Sequence, residues 1–159
     1  MSSRREFVIQ LAGMLVTGDA AGRVMAAYPP SAAVRPLSIT IYKSSTCGCC
    51  AKWVDHLRAN GFATSVHDED DMDRVKDRLG VPQAVRSCHT AVVAKYLIEG
   101  HVPAGDIRRM LAEQPRVMGL AVPGMPPGTP GMAASEKEVG DFAVVSFQKD
   151  GETRTFARH

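Results

Sequence analysis

The chain has 159 residues, of which 45% are hydrophobic and 23% are charged, and its formal net charge is +2. These values are typical of one globular domain, with or without an export segment. Its basic residues form no stripe interleaved with aromatic residues, which argues against a nucleic-acid partner. No apolar run in the sequence approaches the roughly 20 residues that a membrane-spanning helix requires.

The first 27 residues have the layout of an export signal. Arg4 and Arg5 precede an apolar run over residues 7–16, and small residues follow at a suitable cleavage point. The segment around the two arginines is similar to the twin-arginine signature, which is an address rather than an anchor. We therefore predict a twin-arginine-type signal peptide over residues 1–27 and a periplasmic location. The alternative is an N-terminal amphipathic helix of the folded domain.

A linker over residues 28–36 leads into the predicted domain, residues 37–159. Alternating apolar and polar residues predict a strand in 37–44. A period of 3.6 residues then predicts a helix that ends at Asn60-Gly61. The apolar stripe of this helix consists of Cys50, Trp53, Val54 and Leu57.

The same alternation of strand and helix continues along the chain. Residues 62–69 predict a second strand, and Asp70 or Asp71 is the expected cap of a second helix. Residues 89–102 predict two strands around a short turn. A third helix is predicted to begin at Pro103.

The predicted order of elements is β-α-β-α-β-β-α. A strand–helix–strand opening predicts a parallel pair with a right-handed crossover, and the later strand pair completes a mixed four-stranded sheet. This is the order of the thioredoxin and glutaredoxin fold, so the predicted class is α/β and thioredoxin-like. Beyond it, residues 122–132 predict a Pro/Gly loop, and a C-terminal β-hairpin is predicted around Asp150-Gly151.

Four cysteines carry the chemistry of the sequence: Cys47, Cys49 and Cys50 at the start of the first helix, and Cys88 beside His89. A thioredoxin-like dithiol–disulfide oxidoreductase would use Cys47 and Cys50, whose thiols gain acidity at a helix N-terminus. Against it, Cys49 would compete, and Cys88-His89 stands where such enzymes place a substrate-docking proline. Structural disulfides would instead pair Cys47 with Cys50 and Cys49 with Cys88, or form a close variant of this pairing.

The third hypothesis is a metal site. The predicted topology places the start of the third strand beside the start of the first helix, where four thiolates would converge. Soft sulfur ligands select Cu(I), zinc or iron–sulfur clusters. Zinc normally takes two well-separated chelating pairs, whereas sulfurs that bridge several ions suit Cu(I). A site holding one or more Cu(I) ions is therefore the leading hypothesis.

Further ligands are predicted around the four sulfurs. His89 adjoins Cys88, and the Pro/Gly loop carries Met125 and Met132, whose thioethers are soft ligands. His101 is expected to be a hydrogen-bonding residue at the end of a strand. The predicted metal ligands are Cys47, Cys49, Cys50, Cys88, His89, Met125 and Met132.

Four segments of the chain resemble the CopG-like copper-resistance family of exported, predicted metal-binding proteins. They are YKSSTCGCCAKWVDHLRANGF, VRSCHTAVV, IEGHVPAGDIRRMLAE and GLAVPGMPPGTPGM, and the resemblance covers about residues 38–132. It implies a thioredoxin-like fold and a copper site on the four cysteines, with His89 as the histidine of the family's Cys-His pair. The chain departs from the family pattern at Ala51 and at Ala94-Lys95, where glycine is frequent; this bears on turn geometry rather than on the ligands.

The sequence therefore predicts a periplasmic copper-binding protein that holds Cu(I) in a multi-cysteine site, for copper resistance or copper redox handling. Storage, delivery and redox conversion stay open, and so does enzymatic activity, which would be that of a copper or thiol oxidoreductase. The predicted partners are copper ions and other periplasmic copper-handling proteins, with neither nucleic acid nor a membrane span.

Overall fold

The computed structural model describes residues 36–132 and 141–159. The predicted signal peptide, residues 1–27, and all but the last residue of the predicted linker lie outside the described residues. Within them are three α-helices: α1, Gly48–Ala59; α2, Met72–Leu79; and α3, Ala104–Glu113. The strands are β1, Leu37–Lys43; β2, Phe62–Asp68; β3, His89–Val93; β4, Tyr96–Glu99; β5, Gly119–Ala121; β6, Ala143–Phe147; and β7, Thr153–Arg158.

The helix ends follow from local chemistry. Asp71 caps α2, and its carboxylate accepts a hydrogen bond of 2.9 Å from the Arg74 N–H. Helix α1 ends at Asn60, and Gly61 then takes a left-handed φ of 75°. The buried residues of α1 are the four of the predicted apolar stripe: Cys50, Trp53, Val54 and Leu57.

The described strands form one mixed sheet in the order β2-β1-β3-β4-β5-β6-β7. The mixed α/β class and the order of the first seven predicted elements are confirmed. The prediction of a four-stranded sheet is wrong, because the sheet has seven strands. Strand β5 pairs in parallel with β4, and the C-terminal hairpin, β6 and β7, joins the same sheet through β5.

Strand β5 is too short to show a period in the sequence, since it has three residues and all of them are buried. It lies very close to β4 at Gly119, where an added Cβ would sit 1.9 Å from the Leu97 carbonyl oxygen. Only glycine allows this approach without a shift of the backbone. The sheet therefore continues beyond β4 through β5, a strand that periodicity does not predict.

The two faces of the sheet carry separate apolar clusters. Side chains of successive strand residues point to opposite faces; accordingly Ile98 of β4 packs in the larger cluster and Leu97 in the smaller one. The larger cluster includes Trp53 of α1 and Met110 of α3, both fully buried. Burying such a side chain contributes about 1.5–3 kcal/mol, so α1 is firmly held against the sheet. In the described part of the chain, no helix has the length and apolarity needed to cross a membrane.

The topology brings the cysteine segments together. Strand β1 runs antiparallel to β3, and Lys43 at the end of β1 pairs with His89 at the start of β3. The turn from β1 into α1 therefore begins next to Cys88, which directly precedes β3. This is the neighbourhood predicted for the third strand and the first helix.

Candidate metal centre

Three of the cysteines lie at the N-terminal end of α1. Cys47 is the N-cap residue, and its carbonyl accepts a hydrogen bond of 3.2 Å from the Ala51 N–H. Cys47 and Cys50 form a disulfide with an S–S distance of 2.05 Å, while Cys49 is a free thiol.

The four cysteine sulfurs converge. The Sγ atoms of Cys47, Cys49, Cys50 and Cys88 all lie within 4.8 Å of one another, and those of Cys47 and Cys49 are 3.6 Å apart. Cys88 is a free thiol, so the second disulfide of the structural hypothesis, between Cys49 and Cys88, is not formed in this structure. Once the Cys47–Cys50 bond is reduced, the same atoms could share metal ions.

Two imidazoles complete a second group of donors. The Sγ of Cys88 lies 3.3 Å from Nδ1 of His89 and 3.3 Å from Nε2 of His101. Cys50, Cys88, His89 and His101 each offer one ligand atom within 4.8 Å of the others. Cys50 and Cys88 belong to both groups, so a sulfur-only donor set and a mixed sulfur–nitrogen set adjoin each other.

The Pro/Gly loop fixes the tautomer of His101. Its Nδ1 lies 2.7 Å from the Pro130 carbonyl oxygen. Because a carbonyl oxygen only accepts hydrogen bonds, Nδ1 carries the proton in the neutral ring and Nε2 keeps its lone pair. That lone pair faces Cys88, which is the arrangement in which a histidine serves as a metal ligand supported by an outer hydrogen bond.

His89 is fully buried, and its ring lies 4.2 Å from that of Trp53. Its Nε2 atom has no hydrogen-bond partner among the described residues. Burial, followed by the proximity of His101, holds the pKa of His89 well below its ordinary value of 6.5, and burial also lowers the pKa of His101. Both rings are thus neutral at physiological pH and retain a lone pair that a metal can use.

Burial, with a smaller contribution from nearby Cys49, raises the pKa of Cys88 from 9.0 to about 11. Desolvation disfavours the thiolate, so Cys88 is protonated at neutral pH in the metal-free protein. A cation that binds here must displace this proton, and the ion then supplies the charge that the buried thiolate lacks.

The predicted methionine ligands lie on the Pro/Gly loop. Met125 and Met132 are 40% and 38% exposed, and their role in binding stays a prediction. The loop itself reaches the site at Gly131, which has a φ of +88°; an added Cβ there would lie 2.7 Å from the Cys49 carbonyl oxygen. Met132 therefore follows a residue that packs directly against the cysteine turn.

His101 is the site residue that the predicted ligand set left out, because a hydrogen-bonding role at the end of a strand was favoured over contact with the site. The hairpin register would have revealed it. Thr90 pairs with Glu99, and extending this register by two residues sets Cys88 opposite His101. Ala94 accommodates the tight turn of this hairpin with a left-handed φ of 52°, although neither turn residue favours such a conformation.

We expect protein purified without reductant to contain two free thiols, Cys49 and Cys88, and four after reduction. In the variant Cys49→Ser, alkylation of Cys88 should still accelerate above pH 9, because burial, the largest cause, continues to raise its pKa; in urea the rate should level off near 9. Mass spectrometry after alkylation measures both. Unreduced protein without any reactive thiol would instead indicate a second disulfide.

The chain is similar to one family model and to two solved structures. The family model described as "Protein of unknown function, DUF411" matches residues 85–132, a range that includes Cys88, His89 and His101. Two solved structures, "Copper resistance protein copG" in forms 1 and 2, are each 44% identical to the chain with a TM-score of 0.71. Each match covers 78% of this chain and 98% of the solved one. No curated protein matches the chain.

Proposed function

Since this chain belongs to the family of the copper resistance protein CopG, we propose that it binds copper as Cu(I) in its multi-cysteine site. The observation that carries the proposal is the convergence of four sulfurs within 4.8 Å of one another. Copper is cargo in this proposal, and copper resistance is the cellular role. The order of the first seven elements supports a thioredoxin-like scaffold for the site.

The donor chemistry favours Cu(I) over zinc. Structural zinc is held by ligands spaced widely enough to surround one tetrahedral ion. Here Cys47, Cys49 and Cys50 share one turn instead of forming two separated pairs, and their sulfurs lie close enough together for one sulfur to bridge two ions. Cu(I) prefers soft thiolates and accepts two- or three-coordinate geometry, so bridging sulfurs can hold several ions.

We assign the ligand roles by position. The four cysteines form the sulfur core, and His89 and His101 extend it on the side of Cys88. Met125 and Met132 are proposed as outer ligands because the loop that carries them packs on the cysteine turn at Gly131. Their exposure suits a role in the entry or release of copper.

The proposal is tested by titration of reduced, metal-free protein with Cu(I) against a competing chelator. Bridged thiolates should hold more than one Cu(I) per chain, and Met125→Leu with Met132→Leu should weaken binding without lowering the number held in the core. If the reduced protein competes no better than its Cys47→Ser/Cys49→Ser/Cys50→Ser variant, the copper proposal fails.

The N-terminal sequence supports a periplasmic location. Residues 1–27 have the pattern of a twin-arginine signal, and residues 28–36 form the linker that would remain on the domain of residues 37–159. Cell fractionation tests this part. Recovery of the chain in the cytoplasmic fraction with residues 1–27 still attached would contradict it.

The mixed donor group favours copper redox handling as a second role. Thiolates stabilise Cu(I), whereas imidazole also tolerates Cu(II), and His89 and His101 adjoin the sulfur group through Cys88. We expect His89→Ala to take up Cu(I) yet to oxidise differently in air from the parent, as measured by electron paramagnetic resonance. His67→Ala, which changes an exposed histidine outside both donor groups, is the control. Identical oxidation in parent and His89→Ala would favour simple storage.

A dithiol–disulfide oxidoreductase is the alternative function, and the disulfide between Cys47 and Cys50 supports it. Such an enzyme needs only these two sulfurs. Its activity would therefore survive in the double variant Cys49→Ser/Cys88→Ser, which lacks half of the sulfur core. Disulfide reduction by this variant at the parental rate would support the alternative; loss of copper binding without such activity would favour the copper site.

A further inference from the structure

A buried ion pair lies behind the metal centre. Lys76 of α2 and Glu99 of β4 approach to 2.8 Å between Nζ and Oε2, with side chains that are 3% and 0% exposed. Nothing in the sequence pattern predicts a lysine at this buried position of α2. Removing two charges from water is costly, and a well-packed apolar pair often gives equal or greater stability. Stability alone therefore does not explain why these charges are buried here.

The carboxylate of Glu99 bonds to both flanks of the Cys88-His89 pair. On one side, the Ser87 N–H donates to Oε2 at 2.9 Å. On the other, the Thr90 hydroxyl donates to Oε1, and Lys76 Nζ donates to that same hydroxyl at 2.8 Å. One charged group thus fixes the residue before the pair and the residue after it.

These bonds matter because, among the described residues, the chain ahead of β3 pairs with no strand. Ser87 precedes β3, which begins at His89, so its N–H cannot join the sheet ladder. Gly100 contacts the same segment at two points. Its N–H donates to the His89 carbonyl at 3.3 Å, and a Cβ added to it would lie 2.6 Å from the Ser87 hydroxyl oxygen. The segment that presents Cys88 is therefore held by Glu99 and Gly100 together.

We propose that Glu99, anchored by Lys76, is a positioning residue that sets the Cys88 sulfur and the His89 ring in place for copper. The inference rests on the copper site proposed above, but its structural half does not depend on any metal. Outer-sphere partners that orient metal ligands typically contribute about 10–100-fold in affinity. Lys76 neutralises the Glu99 carboxylate, so that the ion pair adds no net charge beside the thiolates.

Two double variants separate positioning from folding. Lys76→Met/Glu99→Leu replaces the ion pair with apolar groups, which should preserve the fold, but it removes the acceptor for the Ser87 N–H. Lys76→Met/Glu99→Gln also removes both charges but keeps an amide oxygen that can accept the same bond. The Gln variant is thus the matched control, and both variants are compared by thermal unfolding.

The first measurement is hydrogen exchange of the Ser87 amide in metal-free protein. Exchange should be fast in the Leu variant and slow in the Gln variant and the parent. The second is competitive Cu(I) titration, in which the Leu variant should bind about 10–100-fold more weakly while the Gln variant stays near the parent.

The outcomes distinguish the two proposals. Slow exchange in the Leu variant, or equal copper affinity in the Leu and Gln variants, overturns the positioning role. If the parent itself binds no Cu(I), the copper proposal falls, while the exchange experiment still decides whether Glu99 fixes the Cys88 segment. Should the Leu variant not fold, Lys76→Met/Glu99→Met takes its place with the same expected outcomes: its longer apolar side chain also lacks the acceptor, and neither charge is left unpaired.

Discussion

Cys88→Ser should weaken Cu(I) binding at least about 100-fold, more than the loss of an outer-sphere partner, and should lower the number of ions held. Its Sγ belongs to both donor groups and lies 3.3 Å from each of two imidazoles. A serine hydroxyl has nearly the same shape, but it is a hard ligand that does not become an anion at neutral pH. Cys50 also belongs to both groups, but the variant removes the sulfur that contacts both histidines.

Cys49→Ser is the matched comparison, because Cys49 is the other free thiol and belongs to the sulfur-only group alone. It should lower the copper number while it leaves the mixed group of Cys50, Cys88, His89 and His101 intact. Competitive titration and thermal unfolding of both variants provide the measurement. Equal effects of the two substitutions would mean that Cys88 does not link two donor groups, and an unaltered affinity in Cys88→Ser would place the copper elsewhere.

Much of the scaffold of this site could be predicted from the sequence because its elements have strong periods. The stripe Cys50, Trp53, Val54 and Leu57 follows helical spacing, and all four residues are buried in α1. The closeness of Cys88 to the α1 turn follows from the topology. Strand β3 lies antiparallel to β1, so the start of β3 lies beside the end of β1. Local pattern and strand order together were sufficient for this juxtaposition.

The sequence did not reveal interactions that depend on register and close packing. Strand β5 has three buried residues and no alternation, so its attachment of the C-terminal hairpin to the sheet could not be predicted. The position of His101 opposite Cys88 follows from the register of β3 and β4, extended two residues beyond the Thr90–Glu99 pair. Lys76 lies on the apolar face of α2, next to Val75, but only the three-dimensional structure shows that Glu99 is its partner.

The Cys47–Cys50 disulfide connects the two leading hypotheses for the cysteines. A thiolate is the metal-binding form of cysteine, and two sulfurs bonded to each other are no longer thiolates. The oxidised protein still offers Cys88 together with the neutral imidazoles of His89 and His101, and Cys49 lies beside Cys88, which suffices for a single ion. The number of copper ions held should therefore depend on the redox state of one cysteine pair.

We expect reduced protein to bind more than one Cu(I) per chain and oxidised protein to bind at most one. Conversely, copper loading should protect Cys47 and Cys50 from oxidation in air, since their lone pairs and charges are engaged by the metal. Both effects are measured by copper analysis after gel filtration, combined with alkylation and mass spectrometry. The double variant Cys47→Ser/Cys50→Ser is the control, because it cannot form the Cys47–Cys50 disulfide; as long as alkylation shows Cys49 and Cys88 to be free thiols, it should bind the same amount with and without reductant. An equal copper number in reduced and oxidised parent would show that Cys47 and Cys50 are not ligands and that their disulfide is a structural element of the α1 turn.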